Sequence, residues 1–157
     1  DKHYTNVGII HGPNNKLESR FRSNGFIDFI KSQSEMNLNW EFNGDYSLKS
    51  GQLAYKAYKE SNSKPRAIFC ANDSMLFGFL ELARADGIQV PSELALVGYD
   101  NLPICKAYCP QVTSIHTDYS NLGLHAMRLL LDRIENHTDH QGFLSLIPVS
   151  LIIRQSS

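Results

Sequence analysis

A carboxylate and a guanidinium brought to one place can grip a molecule rich in hydroxyl groups, and this 157-residue sequence spaces such residues at intervals. Asp45-Tyr46, Asn72-Asp73 and Asp100-Asn101 each follow an apolar stretch, and Arg20-Phe21-Arg22 follows the first such stretch after a loop. A carboxylate accepts from two neighbouring hydroxyls, while a guanidinium or an amide donates to others. An aromatic face covers the C–H side of a sugar ring. Taken singly, Asp and Asn at such places are turn formers or helix caps. Their recurrence after consecutive apolar runs carries the argument.

Catalytic and metal-binding patterns are weaker. There is no Gly-x-Ser-x-Gly elbow, no Walker-type glycine loop and no Gly-x-Gly-x-x-Gly after the first apolar run. A glycoside hydrolase needs two carboxylates at a defined separation, one with a raised pKa. Asp45 or Asp73 with Asp100 would supply the count and nothing more. His137 and His140 form a His-x-x-His in a polar connection without a third ligand nearby, which reads as a solvated loop. Cys105 and Cys109 have a loose ligand-like spacing that no paired motif follows, so they read as packing or loop residues.

The elements that must position these groups alternate. Residues 4–10 are β-branched and apolar and stop at His11-Gly12-Pro13-Asn14-Asn15, a strong loop signal. Phe21, Gly25, Phe29 and Ile30 fall at helical spacing within 19–33, and 39–43 forms a short strand. Ser47 is placed to cap a helix reaching residue 61. Residues 67–71 and 94–99 are continuous apolar runs suited to strands covered on both faces. Between them a helix capped by Asp73 or Ser74 runs to Gly87. Residues 100–111 are a loop with two prolines, and 112–116 a short strand. Tyr119, Leu122, Ala126, Leu129, Leu130 and Ile134 form one apolar stripe on a helix over 119–136. A closing strand over 146–153, interrupted by Pro148, suits a sheet edge. This order predicts an α/β fold: a doubly wound, mostly parallel sheet with right-handed crossovers. Ligands of such sheets bind beyond the carboxyl ends of the strands, where the polar residues above converge.

Composition bounds the partners. Fifteen Lys and Arg balance sixteen Asp and Glu, so no broad basic face is available to grip a nucleic acid. No apolar run reaches the ~18–20 residues of a membrane span, and the N-terminus lacks a signal-peptide layout. Three cysteines without a dense framework fit a reducing, cytoplasmic setting.

The run RAIFCANDSMLFGFLELARADGIQVPSELALVGYDNLP, from Arg66 to Pro103, resembles the most recognisable stretch of the LacI/GalR family of transcriptional regulators. HYTNVGIIHGP, ESRFRSNGF, NGDYSLKSG, VTSIHTDYSNLG and the terminal PVSLIIRQSS resemble that family in its order and spacing, over essentially the whole chain. The resemblance implies a periplasmic-binding-protein-like core of two lobes with an effector, a sugar, between them. Residues 1–116 would be the C-terminal lobe, 117–142 a crossover helix belonging to the other lobe, and 143–157 the returning strand. It implies effector contacts from Arg22, Asp100, Tyr46, Asn72, Thr117, Tyr119 and Glu18, with Thr117 standing where the family often has Gln. The helix carrying Met75, Phe77, Leu80 and Leu82 is apolar on more than one face, so the second face needs a cover. In the family this region forms the dimer interface, which makes Phe77 and Tyr108 the dimer candidates. The family's helix-turn-helix and most of the first lobe are not in this sequence, so operator DNA would be contacted only through them. The exposed stripe on 119–134 predicts self-association. No enzyme activity and no cofactor are implied. The competing reading is a periplasmic sugar-binding transport receptor of the same fold.

Overall fold

The computed structural model describes residues 4–136, 142 and 145–157. Six strands form one sheet in the order β2-β1-β3-β4-β5-β6: β1 Asn6–His11, β2 Asn37–Asn43, β3 Ala67–Cys70, β4 Ala95–Asp100, β5 Thr113–His116 and β6 Ser150–Ile152. The first five are parallel and β6 runs antiparallel along β5. The helices are α1 Leu17–Ser32, α2 Leu48–Glu60, α3 Asp73–Ala85, a short α4 Ile104–Ala107 and α5 Tyr119–Asn136. The chain steps to one side of β1 for β2 and to the other for β3. That reversal opens a crevice at the carboxyl ends of β1 and β3, the usual ligand position in such sheets. None of the described helices is long and apolar enough to cross a membrane.

The core lies on one face of the sheet, under α2 and α3. Ile10, Ile68, Cys70 and Leu96 point into it, joined by Trp40, Tyr55, Tyr58 and Phe79, whose rings pack edge to face. Two glycines let α2 and α3 approach backbone to backbone. A Cβ on Gly51 would strike the Met75 carbonyl, and one on Gly78 the Leu48 carbonyl. The second apolar face of α3 is therefore covered within the chain. Met75, Phe77 and Leu80 are buried and Leu82 is packed against the core, so the chain itself supplies the cover that this face was expected to need.

Local chemistry sets the helix ends. Ser47 caps α2 by accepting from the Ser50 N–H at 3.0 Å, as its position predicts. At α3 the cap is Asn72, whose Oδ1 accepts from Met75 N at 2.9 Å, and neither Asp73 nor Ser74 serves. Asp73 is instead the first helical residue and fully buried. Gly87 ends α3 at φ +83°, where its N–H bonds to the Arg84 carbonyl and the Ile88 N–H to that of Ala83, closing a Schellman motif.

On the opposite face α1 packs with Phe26 stacked on Phe69 at 5.2 Å. Phe69, Val97, Ile115 and Leu151 line a cavity of about 730 Å³ there, walled by α1 and the start of α5. On the apolar stripe of α5, Tyr119, Leu122, Leu130 and Ile134 are exposed. The closing strand is only three residues long, and Pro148, which cannot donate to a ladder, precedes it. The loop over 100–111 holds α4, which the two prolines hide from a reading by propensity. His137 and His140 lie outside the described residues.

Glycine-to-alanine exchange separates packing from propensity. Gly78→Ala is expected to lower stability by about 3 kcal/mol in urea unfolding, because neither backbone can withdraw. Gly25→Ala in α1, with nothing within 4 Å of the added carbon, is expected to raise it by about 0.5–1 kcal/mol. Equal effects would show that α2 and α3 do not meet in this way.

Candidate functional site

Asp100, the last residue of β4, and Arg22, on the second turn of α1, form the centre of the site. The Arg22 guanidinium donates through Nη1 to the Ala71 carbonyl at 2.7 Å and pairs through Nη2 with Asp100 Oδ1 at 3.3 Å. Its plane lies over the Tyr99 ring at 3.9 Å from the centroid, and Tyr46 stands 5.6 Å away. Tyr119, opening α5, donates its hydroxyl to the same Asp100 oxygen at 3.0 Å. Three elements distant in sequence thus meet on one carboxylate. The side chains of Arg22 and Asp100 are 18% and 16% exposed, so this pair is far less screened than a surface ion pair.

Burial pushes the Asp100 carboxyl above the usual carboxylate range, and the neighbouring Asp73 adds to this. The Arg22 charge and the Tyr119 hydroxyl oppose it only in part. The Tyr119 phenol is raised in turn, by burial first and then by the Asp100 charge. The charged form of Asp100 is therefore held at a cost that a ligand offering hydroxyl donors would relieve.

The backbone here is strained. Tyr46 at φ 73°, Asp100 at φ 108° and Asn101 at φ 54° are non-glycine residues in positive-φ conformations, and all belong to this edge. Tyr46 lies against Gly12, where a Cβ would collide with the ring. Two hydroxyls near the crevice, Tyr46 Oη and Thr117 Oγ1, are buried without a hydrogen-bond partner among the described residues. Buried unpaired hydroxyls are rare in folded proteins, and a bound ligand is one way to satisfy them.

The other residues expected here fall into place unevenly. Glu18, Thr117 and Tyr119 line the 730 Å³ cavity with Arg22. Asn72 is largely committed to the fold: besides capping α3, its Nδ2 donates to the Tyr46 carbonyl at 3.0 Å, which leaves one amide hydrogen for a ligand. Its role is to hold Tyr46 as much as to touch anything bound. Asp45 is exposed and accepts from the Ser47 N–H in a turn, and Asp73 is sealed in the core, so neither stands ready as a second catalytic carboxylate. The Phe77 and Tyr108 rings meet at a tilt of 52° with centroids 5.1 Å apart, Phe77 buried inside the chain and Tyr108 half-buried under Arg84. Phe77 thus supports Tyr108 from beneath and offers little surface of its own. Cys105 is buried and donates its thiol to Asp73 at 3.2 Å, with its pKa pushed up to about 12 by burial and that carboxylate, whereas Cys109 is exposed. Among the described residues no three His, Cys, Asp or Glu side chains gather as a metal site. Tyr99 escaped the sequence reading because it sits inside an apolar strand run, where an aromatic residue reads as core.

Because the folded Asp100 carboxyl is raised, the folded chain holds its proton to higher pH than the unfolded chain. Its contribution to stability is present below the ordinary carboxylate value of ~3.9 and is lost as pH rises through the folded value. Asp100→Asn is accordingly expected to be at least as stable as the native chain in urea at pH 7. A loss of more than about 1 kcal/mol, the worth of an ordinary hydrogen bond, would show that the ion pair with Arg22 outweighs the burial.

Comparison with known proteins agrees with this fold. The profile of the periplasmic binding protein-like domain matches residues 1–157. The chain is 30% identical over 157 residues to the HTH-type transcriptional repressor PurR of Pasteurella multocida, covering 99% of this chain and 47% of that protein. It is 32% identical to PurR of Actinobacillus pleuropneumoniae serotype 3, covering 98% and 46%. Among solved structures, the lac repressor bound to ONPG superposes with a TM-score of 0.90 at 26% identity, over 99% of this chain and 46% of that one. The regulator CelR in complex with cellobiose superposes equally well, at 27% identity over 99% and 47%. The chain spans about half the length of the curated relatives it matches. Those relatives are transcriptional repressors, not enzymes. Matched from end to end by the profile and superposed throughout on these regulators, the chain belongs to the periplasmic binding protein-like domain family, in the form found in LacI-type repressors.

Proposed function

We propose that this chain is the effector-sensing part of a LacI/GalR-type transcriptional regulator, and that a small polyhydroxylated ligand binds at the Asp100–Arg22 edge. The observation that supports this most directly is the convergence of Arg22, Tyr119 and Tyr99 on or beside one half-buried carboxylate at the strand ends, with two unpaired hydroxyls close by. A sugar would receive hydrogen bonds from Arg22, give them to Asp100, and rest its C–H face on Tyr46 or Tyr119. Glu18 and Thr117 would select among ligands from the cavity wall. Asn72 would contribute its one remaining amide hydrogen.

In this reading residues 1–116 and 143–157 form one lobe, and 117–142 belong to a second lobe that closes over the ligand. Closure changes the angle between lobes, which shifts the population of a DNA-competent dimer in the cytoplasm. Operator contacts then come from a helix-turn-helix on the same polypeptide. Tyr108, propped by Phe77, takes part in the dimer interface. The ligand complexes of lac repressor with ONPG and of CelR with cellobiose support a sugar over other small molecules. The repressor relatives favour a regulator over a transport receptor.

A thermal-shift panel of cellobiose, D-ribose, D-glucose and inosine tests this. A ligand at a hundred times its Kd adds about 2.7 kcal/mol, which raises the Tm of a chain this size by roughly 5–10 °C. One sugar is expected to do so with the native chain and to fail with Asp100→Ala. A shift that survives Asp100→Ala moves the site elsewhere, and a shift from inosine alone changes the ligand class.

A further inference from the structure

Asp100 and Asn101 adopt positive φ in succession, at 108° and 54°. Neither is glycine, so the turn persists only if its surroundings impose it. The main chain is fixed at two points: Asn101 N–H donates to Ser114 Oγ at 3.0 Å, and Leu102 N–H to Asp73 Oδ2 at 2.8 Å. The Asn101 side chain is fixed at two more. Its Oδ1 accepts from Arg154 Nη2 at 2.7 Å, and its Nδ2 lies 3.3 Å from His116 Nδ1.

Arg154 is itself anchored along its length. Its N–H donates to Thr113 Oγ1 at 2.9 Å, and Nη1 donates to the Val112 carbonyl at 2.6 Å. The guanidinium fork therefore joins the residue before β5 to the turn after β4, from the segment just beyond β6. We infer that Arg154 is a positioning residue for the ligand-binding carboxylate: through Asn101 it holds the turn that aims Asp100 at Arg22. The inference rests on the reading of Asp100 as a ligand contact.

Arginine is required at this position because two acceptors in different elements must be bridged by one planar group. A lysine keeps the charge but is a single point donor and cannot hold both. The arrangement also ties β6 to the site. Movement of the segment over 150–154 pulls on Asn101 and so on Asp100, which makes this short edge strand a mechanical input to the binding carboxylate. The stretch around Arg154 is otherwise unremarkable, as the residue touches neither the cavity nor Asp100.

The test measures the Asp100 carboxyl by 13C NMR titration, which needs no ligand. In the native chain Arg22→Ala removes a neighbouring cation and raises the Asp100 pKa. In Arg154→Lys, with charge retained, that response to Arg22→Ala is expected to fall by at least half, because Asp100 no longer faces Arg22. Asn101→Gly, which admits the same φ but drops the tether, is expected to behave alike and serves if Arg154→Lys does not fold. A response unchanged, or reduced by less than half, in a folded variant overturns the inference and leaves Arg154 a stabilising contact only. The sugar that shifts the native Tm in the panel is expected to bind at least tenfold more weakly to both variants. If no sugar binds the native chain, the proposed ligand class fails while the titration still decides whether Arg154 positions Asp100.

Discussion

The carboxylate of Asp73 is the interaction on which the other parts of this fold depend. It is fully buried at the first position of α3, and it gathers donors from three elements: the Leu102 N–H, the Ser114 hydroxyl at 2.7 Å and the Cys105 thiol. Burying a charged group costs several kcal/mol unless it is hydrogen-bonded, and here the bonds come with the favourable end of a helix dipole. Gly98 is part of the same arrangement, because a Cβ there would collide with Asp73 Oδ1. One side chain thus sets the entry of α3, the path of the turn after β4, the seating of α4 and the register of β5. Asp100 sits between these constraints, which is why it can be held in a conformation its own backbone disfavours.

That conformation comes at a cost in stability. Three positive-φ residues, two unpaired hydroxyls and a carboxyl raised by burial all lower the stability of the fold. Each is local to one edge of the sheet, while the opposite half of the domain packs around Trp40, Tyr55, Tyr58 and Phe79 and carries one buried unpaired side-chain oxygen among the described residues, Asn39 Oδ1. The proposed binding role at this edge gives a reason for strain to be concentrated there. The interlock of Gly51 and Gly78 supplies rigidity on the far side, so that α3 can carry Asn72 and Asp73 to the edge without yielding.

Much of this was legible in the residues. Alternation of apolar runs with helical spacing identified five parallel strands and four of the helices, with ends displaced by a few residues. Ser47 and Gly87 declared their helix ends through cap chemistry that acts within four residues. The short α4 and the length of β6 were not legible, because propensity is weak over three or four residues and tertiary contacts decide. What covers α3 was left open by the residues. An apolar helix face looks alike in sequence whether a neighbouring helix or another chain buries it, and only the glycine pair of α2 and α3 distinguishes the two.

By itself, the sequence determined the fold class and the places where polar residues meet the ends of strands, since both follow from periodicity and from local backbone preference. It also pointed to Arg22, Asp100 and Tyr119, through their setting in motifs of a known order. Only the tertiary structure decided what each group does once assembled. Asn72 and Asp73 are adjacent and chemically alike, yet one caps a helix and tethers Tyr46 while the other is sealed in the core. Arg154 lies 53 residues from Asn101 and still grips it. Hydrogen bonds of that range depend on strand order and crossover geometry, which no local pattern of residues records.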